Sequence, residues 1–203
     1  MLTSLKLSNF KCFDSLSLPL APLVLLTGFN AAGKSTTLQS LLLLAQAFRF
    51  GGRSPELNLN GPLVRLGTSG EVMSSGKGDI IFAIEDEVAE IEWTFQATDR
   101  IKGISIHLKS LKIKTSEGIE TLKDIKELEM FLPNGAKEAP RRLVQRLRDT
   151  IFLSAIRIGI SEVFPSPEEA SPIHADVGVQ GEFAPWWFQR FLDEDIEDSR
   201  CHP

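Results

Sequence analysis

One short stretch of this sequence constrains its fold more than any other. It has the pattern G-x-x-x-x-G-K-[ST] followed by a second hydroxyl residue, in the order Gly28-Phe29-Asn30-Ala31-Ala32-Gly33-Lys34-Ser35-Thr36. The two glycines let backbone N–H groups converge on phosphate oxygens, and the helix that follows brings its positive end to the same place. We therefore expect ATP and Mg²⁺ as cofactors, with Lys34 reaching the β- and γ-phosphates and Ser35 binding the metal through its hydroxyl.

The segments on either side of this loop fit the strand, loop and helix order that the pattern requires. The preceding run is continuous and apolar, typical of a strand buried on both faces of a parallel sheet: Leu23-Val24-Leu25-Leu26-Thr27. Residues 35–48 contain no Pro or Gly and are rich in helix formers, which predicts a helix that ends at Gly51 and Gly52. A chance match in an ordinary glycine turn would lack both neighbours.

Composition and charge limit the class of protein and its partners. The 203 residues are 42% hydrophobic and 24% charged, which is ordinary for a globular domain. A net charge of −5 argues against indiscriminate nucleic-acid binding and leaves only a local basic patch for it. No apolar run has the length of a membrane span, and Cys12 and Cys201 suggest neither a disulfide framework nor a metal site. We expect a cytoplasmic protein that does not bind membranes.

The pattern along the chain predicts three segments. Residues 1–50 hold two amphipathic strands, the phosphate loop and the helix of a nucleotide-binding core. Residues 51–135 form a glycine-rich loop and then an antiparallel β meander. Residues 136–203 hold an arginine-rich helix at 140–150, a buried strand at 151–155, and a loop that leads to a short aromatic helix. The predicted fold class is α/β, a P-loop NTPase with an antiparallel meander.

Two features of these segments have alternative interpretations. The helix at 140–150 carries four arginines that form either a solvated basic face or a face that binds phosphate or acids: Arg141, Arg142, Arg146 and Arg148. The second feature is an apolar run that ends in acids, Ile80-Ile81-Phe82-Ala83-Ile84-Glu85-Asp86. It has the form of a Walker B strand, whose carboxylate would hold Mg²⁺ through water. The alternating residues that follow favour a hairpin turn instead.

The start of the chain resembles the ABC-type ATPases of the RecF, SMC and OLD group. The order of strand, N-F-K-x-F, strand and phosphate loop carries this resemblance, first in Leu5-Lys6-Leu7-Ser8-Asn9-Phe10-Lys11-Cys12-Phe13 and then in residues 23–36. Three later stretches resemble a branch of bacterial ATPases labelled AAA: Asn60-Gly61-Pro62-Leu63-Val64-Arg65-Leu66-Gly67-Thr68, Leu153-Ser154-Ala155-Ile156-Arg157-Ile158-Gly159 and Gly181-Glu182-Phe183-Ala184-Pro185.

The resemblance implies an ABC-type head in which ATP lies between two heads, so we expect a homodimer or a partner chain that completes the ATPase. It implies that Lys11 lies near the base or phosphates. It also implies that phosphate contacts come from the loop, namely Gly28, Asn30, Ala31, Ala32, Gly33, Lys34, Ser35 and Thr36.

The family's signature motif, Walker B strand and catalytic Glu are not identifiable in this chain, which therefore looks like an N-terminal half, an incomplete domain. Whether the chain hydrolyses ATP is thus left open. These observations leave three alternative functions. The chain is the ATP-binding portion of such an ATPase, a non-enzymatic subunit whose partner supplies the missing motifs, or a small-molecule kinase that uses Glu85 or Asp86.

Overall fold

A computed structural model describes residues 1–74, 78–97, 99, 101–123, 125, 127–167 and 176–194 of the chain. The chain divides into two compact units, Met1–Thr150 and Ile151–Pro203. The secondary structure elements are β1 (Leu2–Phe10), β2 (Phe13–Pro19), α1 (Lys34–Phe50), β3 (Glu56–Asn58), α2 (Ser69–Val72), β4 (Ile80–Asp86), β5 (Ala89–Gln96), β6 (Ser105–Thr115), β7 (Gly118–Lys123), β8 (Leu128–Glu129), β9 (Leu132–Pro133), α3 (Glu138–Arg148) and α4 (Ala184–Arg190).

A seven-stranded sheet is the centre of the first unit. Its order is β2-β1-β4-β5-β6-β3, with β7 also paired to β6, and every one of these pairs is antiparallel. The strands β4 to β7 follow one another as hairpins, so the predicted meander is confirmed. The predicted strand pair before the phosphate loop is also confirmed as β1 and β2.

Strand alternation places the apolar residues on one face of this sheet. In β5, Ile91, Trp93 and Phe95 are fully buried, whereas the residues between them are partly exposed. The helices α1 and α3 contact each other, and the ring of Phe48 in α1 lies 5.6 Å from that of Trp93. The indole N–H of Trp93 donates to the Phe131 carbonyl at 3.0 Å, so this large core side chain has its polar atom satisfied.

The two long helices agree with the sequence-based prediction. Helix α1 ends at Phe50, where the N–H of Gly51 bonds to the Ala47 carbonyl at 3.0 Å. Helix α3 buries Pro140, Leu143, Val144 and Leu147 on one face. The glycine-rich loop predicted at the start of residues 51–135 contains the short elements β3 and α2.

The buried strand expected at residues 23–27 is wrong. These residues form no strand, and Leu23 and Leu25 are 88% and 82% exposed. A buried parallel strand needs a hydrogen-bonded neighbour on each side. No strand of the described residues pairs with this segment, and β2, the strand that precedes it in the chain, is an edge strand of the sheet.

The second unit also departs from prediction at one place. Residues 151–155, expected as a buried strand, form no strand, and Ile151 is half exposed. The Ser154 N–H bonds to the Val179 carbonyl at 2.8 Å and the Ile158 N–H to the Gln180 carbonyl at 3.0 Å, but these bonds do not form a strand ladder. The predicted aromatic helix is confirmed as α4, where Trp187 is buried and stacks on Phe191 with ring centroids 5.5 Å apart.

Candidate nucleotide-phosphate site

The phosphate loop follows β2 and runs into the first turn of α1. Its backbone is left-handed at Gly33 (φ +89°) and Ala31 (φ +65°), and Gly28 also has a positive φ of +143°. Gly33 is the N-cap residue of α1, and no acidic side chain lies in the first turn of this helix. The first N–H groups of a helix have no partner within it, and they carry its positive dipole end. The start of α1 therefore suits an anion.

Gly33 is held by close contact with the turn between β1 and β2. A Cβ atom at this position would lie 2.3 Å from the Phe13 ring and 3.0 Å from the Cys12 sulfur. A side chain at residue 33 would also be strained by the left-handed backbone. The second glycine of the pattern is thus required by packing, and the contact joins the N-F-K-x-F turn to the phosphate loop.

The Lys34 side chain folds back over its own loop. Its ammonium donates to the Gly28 carbonyl at 2.7 Å and to the Phe29 carbonyl at 2.6 Å. These two bonds keep the positive charge at the loop, beside the open end of α1. A phosphate oxygen bound by Lys34 would have to replace one or both carbonyls as the acceptor.

The hydroxyl residues of the first turn differ in their surroundings. Ser35 is exposed, so its hydroxyl is open to a metal–phosphate ligand. Thr36 is buried, and its hydroxyl lies 3.6 Å from the Cys12 sulfur, in the packing between loop and turn. The Thr37 hydroxyl donates to the Gly33 carbonyl at 3.1 Å and so fixes the helix start. The geometry thus distinguishes Ser35 from its two neighbours.

The remaining loop residues lie at the surface. Asn30, Ala31 and Ala32 are exposed, and the Ala32 N–H donates weakly to the Phe29 carbonyl at 3.3 Å. Lys11 belongs to the neighbouring turn, where its backbone is left-handed (φ +52°) and its N–H bonds to the Val72 carbonyl at 2.8 Å. The structure therefore brings the turn that carries Lys11 and the phosphate loop together.

The alternative Walker B strand is a hairpin. Strand β4 pairs antiparallel with β5, and the Asp86 carboxylate accepts the N–H groups of Val88 and Ala89, each at 2.9 Å, within the turn. Its other oxygen accepts from Arg146 at 2.9 Å, and the Asp86 side chain is only 1% exposed. Both carboxylate oxygens of Asp86 are therefore engaged in the turn and in the Arg146 pair, which supports a structural role.

The arginines of α3 are each paired with an acid. Arg141 lies 3.3 Å from Glu129, Arg142 lies 2.8 Å from Glu138, and Arg148 lies 2.9 Å from Asp149. With the Arg146–Asp86 pair, this arrangement favours the solvated basic face over a face that binds phosphate.

Sequence inspection missed several side-chain hydrogen bonds that order the segment between α1 and β4. The side chain of Gln46 in α1 is buried and accepts the Val64 N–H at 3.0 Å. The Asn60 amide bonds to both backbone groups of Gly67, at 2.8 and 2.9 Å. Residues 68–71 read Thr-Ser-Gly-Glu, the S/T-x-x-E pattern of a capping box, which was the available signal for α2.

The loop pattern and the helix that follows it indicate the class of this protein. A glycine-bounded loop that ends in Lys-Ser at a helix start is typical of the phosphate site of a P-loop nucleotide-binding domain, although the strand that usually precedes such a loop does not form at residues 23–27. Within the described ranges, no three His, Cys, Asp or Glu residues are grouped to hold a metal ion. A Mg²⁺ ion bound mainly by phosphates needs no such protein cluster.

Comparison with known protein families agrees with this class. Residues 4–169 match the family described as AAA domain. Because the match covers most of the chain, the protein belongs to the AAA domain family, whose domains are nucleotide-binding ATPase domains of the P-loop class. A comparison with curated proteins finds no match. None of the helices in the described ranges is long and apolar enough to cross a membrane.

Proposed function

We propose that the chain binds Mg-ATP through residues 28–36 as part of an ABC-type head of the RecF, SMC and OLD kind. The observation that carries this proposal is the open, acid-free start of α1 beneath a loop whose second glycine is packed against the β1–β2 turn. The donors of the loop itself are backbone N–H groups and the Lys34 ammonium. This set of donors fits the oxygens of a polyphosphate, because oxyanions need several convergent N–H groups.

Each residue of the loop then has a defined part in binding. Lys34 would move from the Gly28 and Phe29 carbonyls to the β- and γ-phosphates, and Ser35 would ligate Mg²⁺. Asn30 and the amides of Ala31, Ala32, Gly33 and Thr36 would contact phosphate, with Lys11 near the base or phosphates. Bound Mg²⁺, held on the protein side by the Ser35 hydroxyl, would supply positive charge that offsets the charge of the phosphates.

Hydrolysis in this proposal requires a second polypeptide surface. The side chains of Leu23, Leu25 and Phe29 are 88%, 82% and 92% exposed, on both sides of Gly28. Large apolar side chains exposed along one short stretch of chain are typical of a surface that another protein element covers. We propose that this element belongs to a second head or a partner chain, and that it brings the signature and Walker B motifs.

The split-subunit alternative is supported by the same exposed residues. In that case the chain binds nucleotide but cleaves it only when its partner is present. A small-molecule kinase is not favoured, because Asp86 is engaged in a turn and the α3 arginines are paired with acids. Phosphoryl transfer to a small acceptor needs free cationic groups around that acceptor.

Calorimetric titration of the purified chain with Mg-ATP tests the proposal. Lys34→Ala should weaken binding by about tenfold to over a hundredfold, since hydrogen bonds to charged groups contribute about 1.5–3 kcal/mol. The matched control is Lys137→Ala. Lys137 is an exposed lysine that directly precedes α3 and forms an ion pair with Glu117. Equal affinities for wild type and Lys34→Ala would contradict a phosphate role for this loop.

A further inference from the structure

We propose that α2 positions Lys11 for the nucleotide, with Thr68 and Glu71 as the positioning residues. This inference rests on the proposed function of the phosphate loop. It assigns a role to a four-residue helix that makes no contribution to the sheet and contains none of the loop residues. The role follows from three sets of contacts: one within α2, one between α2 and the turn that joins β1 to β2, and one between that turn and the phosphate loop.

The first set of contacts holds α2 in its helical form. The Glu71 carboxylate accepts the Thr68 N–H at 2.7 Å, which is the bond from Glu71 back to the N-cap residue in a capping box, and it also accepts the Thr68 hydroxyl at 3.0 Å. A Cβ atom at Gly67 would lie 2.2 Å from a Glu71 oxygen, so the glycine makes room for this carboxylate. Isolated helices of this length do not persist in water, so α2 depends on these bonds.

The second set joins the end of α2 to the turn that carries Lys11. The Val72 carbonyl accepts the Lys11 N–H at 2.8 Å, and the Ser74 N–H donates to the Asn9 carbonyl at 3.3 Å. The Ser74 hydroxyl also bonds to the Asp14 carboxylate. Asn9 and Lys11 both have left-handed backbones, at φ +55° and +52°. Such conformations persist in residues other than glycine only when neighbouring contacts fix them.

The third set transmits this position to the phosphate loop. The same turn continues into Cys12 and Phe13, which lie against Gly33 at the start of α1. Lys11 is half-buried, and its ammonium makes no ion pair within the described ranges, so it is available to an anion. A shift of the turn would therefore move both Lys11 and the packing partner of Gly33.

The charge of Glu71 supports the same role. The Thr68 N–H and hydroxyl are the main groups that lower the pKa of Glu71, and the nearby Lys11 charge lowers it further. The carboxylate is therefore ionised at neutral pH and lies within electrostatic reach of the Lys11 ammonium. On its other side α2 is anchored by Ser69, whose N–H donates to the Gly103 carbonyl at 2.8 Å and whose hydroxyl donates to the Asp99 carbonyl at 2.6 Å.

A double-mutant cycle on the full chain tests the positioning role. Thr68→Ala should weaken Mg-ATP binding about fivefold, the expected effect of losing one cap. In a Lys11→Met background the same substitution should change affinity little, because the group that it positions is gone. Thr68→Ser keeps the hydroxyl and should restore binding. Thr115→Ala is the control, since Thr115 accepts a backbone N–H at 3.3 Å in a distant exposed turn.

The possible outcomes separate this inference from the proposed function. If Thr68→Ala weakens binding equally in both backgrounds, or in neither, α2 does not act through Lys11 and the inference is wrong. If wild type and Lys34→Ala bind Mg-ATP equally, the phosphate site itself is wrong and the inference falls with it. Should Thr68→Ala not fold, Glu71→Gln replaces it in the cycle, because the amide keeps the shape and one acceptor oxygen.

Discussion

Two short apolar runs in this molecule differ in strand pairing and in burial. Residues 80–84 lie in β4, between β1 and β5, with Ile80, Phe82 and Ile84 buried. Residues 23–27 precede the phosphate loop, form no strand and leave two leucines exposed. The run in β4 has a hydrogen-bonded partner on each side, whereas the other has none among the described strands. An apolar run thus indicates what its residues favour, and the partners decide whether a strand forms.

The largest expected effect lies in the core behind β4 and β5. Trp93→Ala should lower the free energy of unfolding by about 3–5 kcal/mol, because it leaves a cavity and the Phe131 carbonyl without its donor. Urea unfolding followed by circular dichroism measures this change. A loss below about 1 kcal/mol would mean that the sheet is not the stable part of the molecule.

The Asp86 carboxylate should show the next largest effect. Asp86→Ala removes an acceptor of three hydrogen bonds and should cost about 2–3 kcal/mol of unfolding free energy. Arg142→Ala, which breaks an exposed pair with Glu138 in the same helix as Arg146, should cost about 0.3–0.5 kcal/mol. Mg-ATP affinity should be unchanged in both variants. A selective loss of affinity in Asp86→Ala would revive the Walker B interpretation.

A smaller effect is expected on the outer face of the sheet. Lys6 donates to Glu90 at 2.5 Å, and this bond lowers the pKa of Glu90 and raises that of Lys6. Because the pKa of Glu90 is lower in the folded state than its unfolded value of about 4.5, ionised Glu90 stabilises the fold above pH 4.5. This contribution is lost as the pH falls through the folded pKa. Because the pKa of Lys6 is raised in the folded state, its contribution to the stability of the fold is complete below pH 10.5. That contribution is lost as the pH rises through the folded pKa.

Glu90→Gln tests this pair against a neighbour on the same face. The substitution should cost about 0.2–1 kcal/mol at neutral pH and flatten the decline of stability below pH 4.5. Glu92→Gln is the matched control, since Glu92 lies two residues further along β5 and forms no ion pair within the described ranges. Identical pH profiles for the two variants would show that the Lys6 bond does not stabilise the fold.

The smallest effect on stability is expected in the exposed run. Leu25→Ser should change the free energy of unfolding by no more than about 0.5 kcal/mol, since the side chain is already in water. Ile84→Ser is its counterpart in β4 and should cost several times more, because it removes a buried side chain and introduces a hydroxyl there. A large loss in Leu25→Ser would show that residues 23–27 are packed in solution and would remove the contrast between the two runs.

Periodicity explains which parts of the fold could be predicted. The alternation of Ile91, Trp93 and Phe95 marks β5, and the spacing of Leu143, Val144 and Leu147 marks α3, because both patterns reflect burial on one face. Residues 23–27 and 151–155 were mispredicted as strands because sequence shows apolar character and not the presence of a partner. The short elements β3 and α2 have too few residues for a period.

The candidate site was predictable to a similar degree. The loop pattern identified residues 28–36, since its residue types have a direct chemical reason. The contact of Phe13 with Gly33 and the bond from Lys11 to Val72 join residues far apart in the sequence, and no local pattern reveals such pairs. The capping box from Thr68 to Glu71 was readable, but Gly70 lies within it and disfavours a helix.

The most direct test of the central claim is chemical denaturation with and without Mg-ATP. If the phosphate loop binds the nucleotide, a concentration one hundred times the dissociation constant should raise the unfolding free energy of the wild type by about 2.7 kcal/mol. Lys34→Ala at the same nucleotide concentration should show a much smaller increase. An equal increase in both proteins, or none in the wild type at millimolar Mg-ATP, would contradict nucleotide binding by this loop.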